Sequence, residues 1–131
     1  MKAAYVFAAA FRVHATGVAL DPDRFETTIR LFAPAPGVEP SAERIDWLFF
    51  RDRLWRGEIG DEAPLREAVG DWLDVEVVSL SFAELRADEA YLDALKSEIE
   101  RDLSRFNAES VDEVLHQYLG SSVHVVATDA V

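Results

Sequence analysis

The sequence predicts an α+β fold, in which a mostly antiparallel sheet of about four to five strands carries about three helices on one face. Two patterns support this prediction. Alternating or β-branched segments, typical of strands, dominate residues 1–32, whereas apolar residues at helical spacing dominate much of residues 61–120. With 131 residues, of which 50% are hydrophobic, the chain suits one globular domain, which we assign to residues 1–131.

The first two elements are predicted to be strands of an antiparallel hairpin. Residues 5–13 place apolar side chains on both alternating faces, which indicates a central strand or a strand covered on two sides. Residues 25–31 alternate between apolar and polar side chains, which indicates a strand with one solvated face. The hairpin loop is assigned to residues 17–23, and the proline-rich residues 33–40 are expected to form an extended surface loop.

The third segment, residues 44–59, is ambiguous. The aromatic density of residues 47–50 favours a strand, followed by a turn that ends near Gly57. As a helix, the segment would instead align one face, formed by Trp47, Phe50, Arg51, Leu54 and Trp55. We predict a strand at the start of this segment.

The next elements are a helix and a strand. Asp61 is an N-cap residue type, and Pro64 would lie in the first turn of the helix that it begins. Leu65, Ala68, Val69, Trp72 and Leu73 fall on one side of this helix. Residues 75–82 are β-branched and apolar, as expected for a strand, and residues 123–126 predict a short final strand.

Two more helices are predicted between these strands. Asp88 and Glu89 suit the positive end of a helix that continues to about Asn107. Ser110 and Glu113 form a capping box, and Gly120 ends the helix that follows. The predicted order of elements is therefore β-β-β-α-β-α-α-β.

Charge is distributed unevenly along the chain. Residues 1–56 carry eight basic and seven acidic residues, a net charge of +1, whereas residues 57–131 carry five basic and eighteen acidic residues, a net charge of −13. Only Lys2 and Lys96 of the 13 basic residues are lysines. Molar salt shortens the Debye length to about 3 Å and so screens the repulsion between carboxylates. The composition predicts adaptation to a salt-rich cytoplasm. The alternative is a polyanion-like surface that binds a basic partner or mimics nucleic acid.

The composition also bears on other classes of partner and site. The excess of acidic residues argues against nucleic acid as a partner. No apolar run reaches the roughly 18 residues that a membrane span needs. The chain contains no cysteine, which removes thiol nucleophiles, disulfides and cysteine-based zinc sites.

Catalytic patterns are weak. The three histidines, His14, His116 and His124, share no helical metal-site spacing, although the first and last could meet if the terminal strands are neighbours. No serine lies in a Gly-x-Ser-x-Gly turn. Paired carboxylates are numerous because acids are numerous throughout the chain. We therefore expect no catalytic residues, no metal site and no cofactor, and the prediction leans away from an enzyme.

The strongest candidate for a binding site is the arginine- and tryptophan-rich segment within residues 44–58. Arginine forks bind carboxylates or phosphates in a planar, bidentate manner, and indole rings offer stacking faces. Both residue types are enriched in the energetic centres of protein interfaces. The candidate binding residues are Trp47, Arg51, Arg53, Trp55 and Arg56. The partner predicted for this surface is a protein, which includes a second copy of this chain.

Two alternatives remain open for this segment. The aromatic residues could be core while the arginines pair with the acidic second half of the chain. The segment could also belong to an enzyme or a small-ligand binder, with a pocket between sheet and helices lined by Trp47, Arg51, Trp55 and Arg56. An apolar pocket with convergent arginines would favour the ligand binder, and a flat exposed patch would favour the interaction surface.

The motif Leu54-Trp55-Arg56, within residues 47–58, resembles the signature of the LWR-salt proteins, small acidic proteins of salt-loving archaea. Residues 25–28, 88–95 and 114–122 are also similar to that family. The resemblance covers most of the chain and implies a halophilic, cytosolic origin. It implies no activity and supplies no catalytic residues.

Overall fold

The computed structural model describes residues 1–13, 24–38 and 45–131. Four strands form the main sheet, in the spatial order β2-β1-β5-β6: β1 (Ala3–Arg12), β2 (Arg24–Phe32), β5 (Glu76–Ala87) and β6 (Val123–Val125). β1 pairs with β2 and with β5 in antiparallel fashion, and β5 pairs with β6 in parallel. The α+β prediction is confirmed, and so is the antiparallel pairing of the first two strands. The loop assigned to residues 17–23 lies outside the described residues.

Two irregularities in β5 keep its apolar side chains on one face of the sheet. The register between β1 and β5 shifts after Val6 and again after Ala10. Successive residues of a regular strand point to opposite faces, so residues three positions apart would lie on opposite faces. Each shift inserts one extra residue of β5, which places Leu85 with Phe82, and Leu80 with Val77, on the same face. As a result, Tyr5 lies between Leu31 and Leu85 on the same face. This strand is also longer than the predicted residues 75–82, since it continues to Ala87.

The helices are α1 (Phe49–Arg53), α2 (Glu62–Leu73), α3 (Glu89–Arg101) and α4 (Val111–Leu119). Each contributes buried side chains to the core that covers this face of the sheet, among them Phe50, Leu65, Leu95 and Val114. Polar groups organise two of the helix starts. Asp88 accepts a hydrogen bond from the Tyr91 backbone N–H at 2.8 Å, and the Ser110 hydroxyl accepts one from the Glu113 N–H at 3.1 Å.

Two helix predictions need correction. The helix expected to continue to about Asn107 ends at Arg101, and a 3₁₀ turn, Leu103–Phe106, follows it. The interruption at Asp102 turns Phe106 into the core, where its ring stacks on Phe50 with centroids 5.8 Å apart. Asp61 precedes α2 as predicted, but its side chain makes no capping hydrogen bond.

The aromatic segment is the largest departure from the predicted structure. Its start is helical, because α1 covers Phe49–Arg53, and the strand predicted for residues 47–50 is wrong. A two-stranded hairpin follows, formed by β3 (Leu54–Trp55) and β4 (Glu58–Ile59). The turn predicted near Gly57 is confirmed. The segment therefore changes from helix to hairpin within a few residues, which neither single pattern could describe.

Candidate functional site

The turn at Arg56 and Gly57 gives the hairpin its shape. Trp55 pairs with Glu58, so Arg56 and Gly57 form the complete loop between the two strands. Both have positive φ, 51° for Arg56 and 80° for Gly57, as in the type I′ turns that suit two-residue hairpins. Glycine adopts this backbone without strain, whereas arginine rarely does. The turn therefore holds Arg56 in a costly backbone conformation.

Backbone hydrogen bonds fix the turn to the end of α4. The Arg56 N–H donates to the Gln117 carbonyl at 2.8 Å, and the Gly57 N–H donates to the Tyr118 carbonyl at 3.0 Å. These carbonyls belong to the last turn of a helix, where no intrahelical donor is present. The hairpin thus acts as a C-terminal cap supplied by a distant segment. A cation at Arg56 also lies at the negative end of the helix dipole.

The contact between turn and helix is close enough to require glycine on both sides. A Cβ atom at Gly57 would lie 2.9 Å from the Ser122 hydroxyl and 3.0 Å from the Leu119 carbonyl oxygen. A Cβ atom at Gly120 would lie 3.2 Å from the Arg56 carbonyl oxygen. The positions of Trp55 and Arg56 relative to α4 are therefore set by backbone packing.

The side chains of Trp55 and Arg56 point away from this contact and into solvent. The Trp55 side chain is 48% exposed. Its ring meets the edge of Tyr118 with centroids 5.8 Å apart, and the Arg56 guanidinium carbon lies 5.9 Å from the indole centroid. Together they line an open cleft of about 700 Å³, which we call the Trp55 cleft. Its lining residues are Trp55, Arg56, Glu113, His116, Gln117, Gly120 and Ser121.

The predicted binding residues separate into different environments. Trp47 is 6% exposed and packs in the core near Phe106, with ring centroids 6.4 Å apart. Arg51 donates to Asp52, its neighbour in α1, through Nε at 2.9 Å. Arg53 lines a different, smaller cavity between α1 and α2. Only Trp55 and Arg56 share the cleft, so the pocket expected from Trp47, Arg51, Trp55 and Arg56 together does not form.

The ion pairs expected between these arginines and the acidic second half are absent from the described part of the chain. Arg51 pairs with Asp52, at 2.8 Å between Nη2 and Oδ1. Within residues 1–13, 24–38 and 45–131, no carboxylate lies within salt-bridge distance of Arg53 or Arg56. Arg44 lies outside the described residues. The Arg56 guanidinium is consequently free to bind an external group.

Sequence reasoning missed the half of the cleft that α4 supplies. His116, Gln117 and Ser121 are distant in sequence from Trp55, and no spacing pattern connects them. The available signal is the pair of glycines at residues 57 and 120, since Gly57 directly follows Arg56 and Gly120 directly follows α4. The sequence predicts that Gly120 ends a helix, but its close approach to Arg56 depends on tertiary structure.

Other titratable groups are accounted for by the fold. The described residues contain no cluster of three or more His, Asp or Glu side chains that could hold a metal. His124 Nδ1 contacts Glu84 at 2.8 Å, and His14 lies outside the described residues. The Tyr91 N–H lowers the pKa of Asp88 to about 2, against the opposing effect of burial, with further hydrogen bonds from the Lys2 backbone, Thr128 and the Met1 amino group. Asp88 thus serves as an ionised helix cap.

Two tyrosines are buried in the core, and one of them, Tyr5, packs against Phe49 with ring centroids 4.6 Å apart. Tyr5 and Tyr91 are almost fully buried, and neither hydroxyl forms a hydrogen bond of good geometry with a described group. Burial raises the pKa of both side chains, and the neighbouring Tyr91 raises that of Tyr5 further. Both remain neutral at ordinary pH, which suits their position in an apolar core.

Comparison with known proteins identifies the family. The family model of the LWR-salt proteins matches residues 1–129. The chain belongs to the LWR-salt protein family. No curated protein and no solved structure matches it. In the described ranges, no helix of this family member has the length and apolar character to cross a membrane.

Proposed function

We propose that this LWR-salt protein is a non-enzymatic interaction protein that binds a protein partner through the Trp55 cleft. The observation that carries the proposal is the exposure of Trp55 and Arg56 on a turn with positive φ at a non-glycine residue. A large indole in solvent adds little to the stability of the fold. A left-handed backbone conformation at an arginine lowers that stability by about 1–3 kcal/mol. Asparagine would suit the turn better, so stability alone does not account for arginine at this position.

The chemistry of the cleft indicates what the partner must present. Arg56 offers a planar fork that is bound to no described carboxylate, and Trp55 offers an apolar surface beside it. An acidic side chain next to an apolar one would use both groups. Gln117 and Ser121 add neutral hydrogen-bonding groups, and the Glu113 carboxylate that also lines the cleft accepts a hydrogen bond from the Glu109 N–H at 3.1 Å. We therefore infer that the partner contributes a carboxylate and an adjacent hydrophobic residue.

The alternative, a small-ligand binder, would use the same cleft. The volume lies within the range of ligand sites, but the cleft is open and holds one arginine. Small-ligand sites are usually enclosed and bury most of the ligand surface. An open surface with an exposed aromatic anchor favours a macromolecular partner.

Partner capture tests the proposal. Immobilised wild type, Arg56→Lys and Arg56→Gln would be incubated with halophile lysate in molar KCl, after each is shown to melt as a folded protein. Lysine keeps the charge and loses the bidentate geometry, so both variants are expected to lose the partner. Arg101→Lys, an exposed replacement on α3, is the matched control and should retain it. Equal recovery by wild type and both Arg56 variants would contradict the proposal.

We further propose that the protein works in the salt-rich cytoplasm of a halophile. The net charge of −12 and the scarcity of lysine support this, together with the family match. The midpoint of thermal unfolding is expected to rise steeply from dilute buffer to molar KCl, because salt screens carboxylate repulsion. Urea titrations at each salt concentration would separate stability from aggregation. A midpoint that is independent of KCl would rule out the halophilic proposal.

A further inference from the structure

One long edge of the main sheet, formed by β2, is covered by no described strand. β2 is the outer strand of the order β2-β1-β5-β6, and its nine residues run alongside β1 without a register shift. The opposite edge is formed by β6, which has only three residues, and by the part of β5 that β6 does not reach. That part of β5 is interrupted by two register shifts, and its Leu80 N–H donates to Glu62 at 2.7 Å. An uncovered strand of the length of β2 exposes a row of backbone donors and acceptors that can pair with another strand.

β2 lacks most of the features that prevent edge pairing. It contains no proline and no lysine, and it has no bulge against β1. Phe25 and Phe32, near its two ends, are 42% and 54% exposed. Arg24, Glu26 and Arg30 give the strand a net charge of +1 within a chain of net charge −12. The edge therefore lacks the self-repulsion expected of the acidic second half of the chain.

The side chains of β2 allow a symmetric pairing with a second copy. In an antiparallel pair, facing residues lie on the same face of the sheet, and neighbouring positions of one strand lie on opposite faces. A two-fold axis between two identical strands must therefore lie midway between the two copies of one residue, and we name each register by that residue. An axis through Thr28 places Glu26 of each copy opposite Arg30 of the other. The same register places Phe25 opposite Leu31 and Arg24 opposite Phe32. This register therefore forms two ion pairs between Glu26 and Arg30. It also forms apolar contacts between Phe25 and Leu31 and cation–π contacts between Arg24 and Phe32.

The neighbouring registers are less favourable. An axis through Thr27 places Arg24 opposite Arg30 twice, and like charges at facing positions are destabilising. An axis through Ile29 places Glu26 opposite Phe32 and leaves both charged residues without a partner of opposite charge. Only the axis through Thr28 pairs Glu26 with Arg30. These two residues of one copy cannot pair with each other, because four positions along a strand separate them by about 14 Å.

We propose that two copies of this chain associate through β2 strands, in antiparallel register about Thr28, to form one continuous sheet. Such an interface is isologous, as in most homodimers. It is separate from the Trp55 cleft, so the two surfaces can be disabled independently. Pairing is expected in molar salt, where repulsion between the acidic halves of the two copies is screened.

Disulfide trapping tests the register directly, because the wild-type chain contains no cysteine. Thr28→Cys would place the two sulfurs across the axis, where facing Cβ atoms are about 4.5–5.5 Å apart, close to disulfide geometry. The matched control is Ser81→Cys. Ser81 is exposed and lies in the same row of the sheet, since both it and Thr28 face Ala8. Under mild oxidation in molar KCl, Thr28→Cys should cross-link rapidly and Ser81→Cys slowly.

A charge exchange tests the ion pairs. Glu26→Arg should weaken dimerisation at least about tenfold, as measured by sedimentation equilibrium, because it places arginine opposite Arg30 twice. The double variant Glu26→Arg/Arg30→Glu restores opposite charges and should recover most of the affinity. Glu100→Arg, an exposed change of equal charge on α3, should leave the affinity near that of wild type.

The outcomes that overturn the proposal are distinct from a folding failure. Each variant is first compared with wild type by thermal unfolding, which matters for Arg30, whose Nη1 lies 3.4 Å from the Val131 carbonyl. A wild-type protein that sediments at 14.7 kDa at its highest soluble concentration would exclude the dimer. Equal cross-linking of Thr28→Cys and Ser81→Cys would exclude the register, and so would failure of a folded double variant to recover affinity.

Discussion

Trp47 and Trp55 belong to one segment and have opposite environments. Trp47 is 6% exposed and packs beside Phe106, whereas Trp55 is 48% exposed beside Arg56. The residues between them form the short helix α1, which buries Phe49 and Phe50. An aromatic run therefore contains both core and surface. Composition locates the segment, but the change from helix to hairpin decides which side chain is buried.

Aromatic contacts connect the two tryptophans. Trp47 contacts Phe106, which stacks on Phe50, and Phe50 meets Tyr118 at 5.9 Å between centroids. Tyr118 in turn meets the ring of Trp55. The exposed indole thus rests on side chains anchored in the core. This support fixes the proposed binding surface without burying it.

The largest expected effect lies at the buried end of this series. Trp47→Ala should lower the free energy of unfolding by about 3–5 kcal/mol, because it removes a buried indole and leaves a cavity. Urea unfolding in molar KCl measures it, and Trp47→Phe serves as the milder control. A loss below about 1 kcal/mol would place Trp47 outside the core, since the cost of a large cavity is well above that value.

The next effect tests the turn that separates buried from exposed residues. Gly57→Ala should cost about 1–3 kcal/mol, because alanine is strained at positive φ and its Cβ would meet Ser122 and Leu119. Gly60→Ala is the matched control, since an added Cβ there meets nothing closer than 3.9 Å. Equal melting temperatures for the two variants would contradict the tight contact between turn and α4.

A smaller effect is expected at the exposed tryptophan. Trp55→Ala should lower stability by about 1 kcal/mol, the size of its edge contact with Tyr118. The same variant should lose partner capture in molar KCl. A loss as large as that of Trp47→Ala would show that Trp55 is a core residue, and the contrast between the two tryptophans would fail.

Much of the fold follows from the sequence because local patterns and packing agree. The β1–β2 hairpin, the helix start at Ser110 and the helix end at Gly120 all rest on such agreement. Prediction failed where tertiary contacts decide. The extension of β5 to Ala87 needs a register shift, and Phe106 needs a break at Asp102 to reach the core. These features leave no periodic signal.

The candidate site could be predicted only in part for the same reason. Residue type identified Trp55 and Arg56, but it grouped them with Trp47, Arg51 and Arg53, which the fold places elsewhere. The α4 side of the cleft depends on backbone hydrogen bonds from Arg56 and Gly57. Backbone pairing between distant segments cannot be read from side-chain spacing.

The central claim is that Arg56 occupies its turn for binding and not for stability. Arg56→Asn tests it most directly, because asparagine followed by glycine is the preferred pair for a type I′ turn. We predict that this variant melts at or slightly above the temperature of wild type in molar KCl and no longer captures the partner. Arg101→Asn, an exposed replacement on α3, should still capture it. An Arg56→Asn protein that is clearly less stable than wild type, or that recovers the partner in full, would contradict the account.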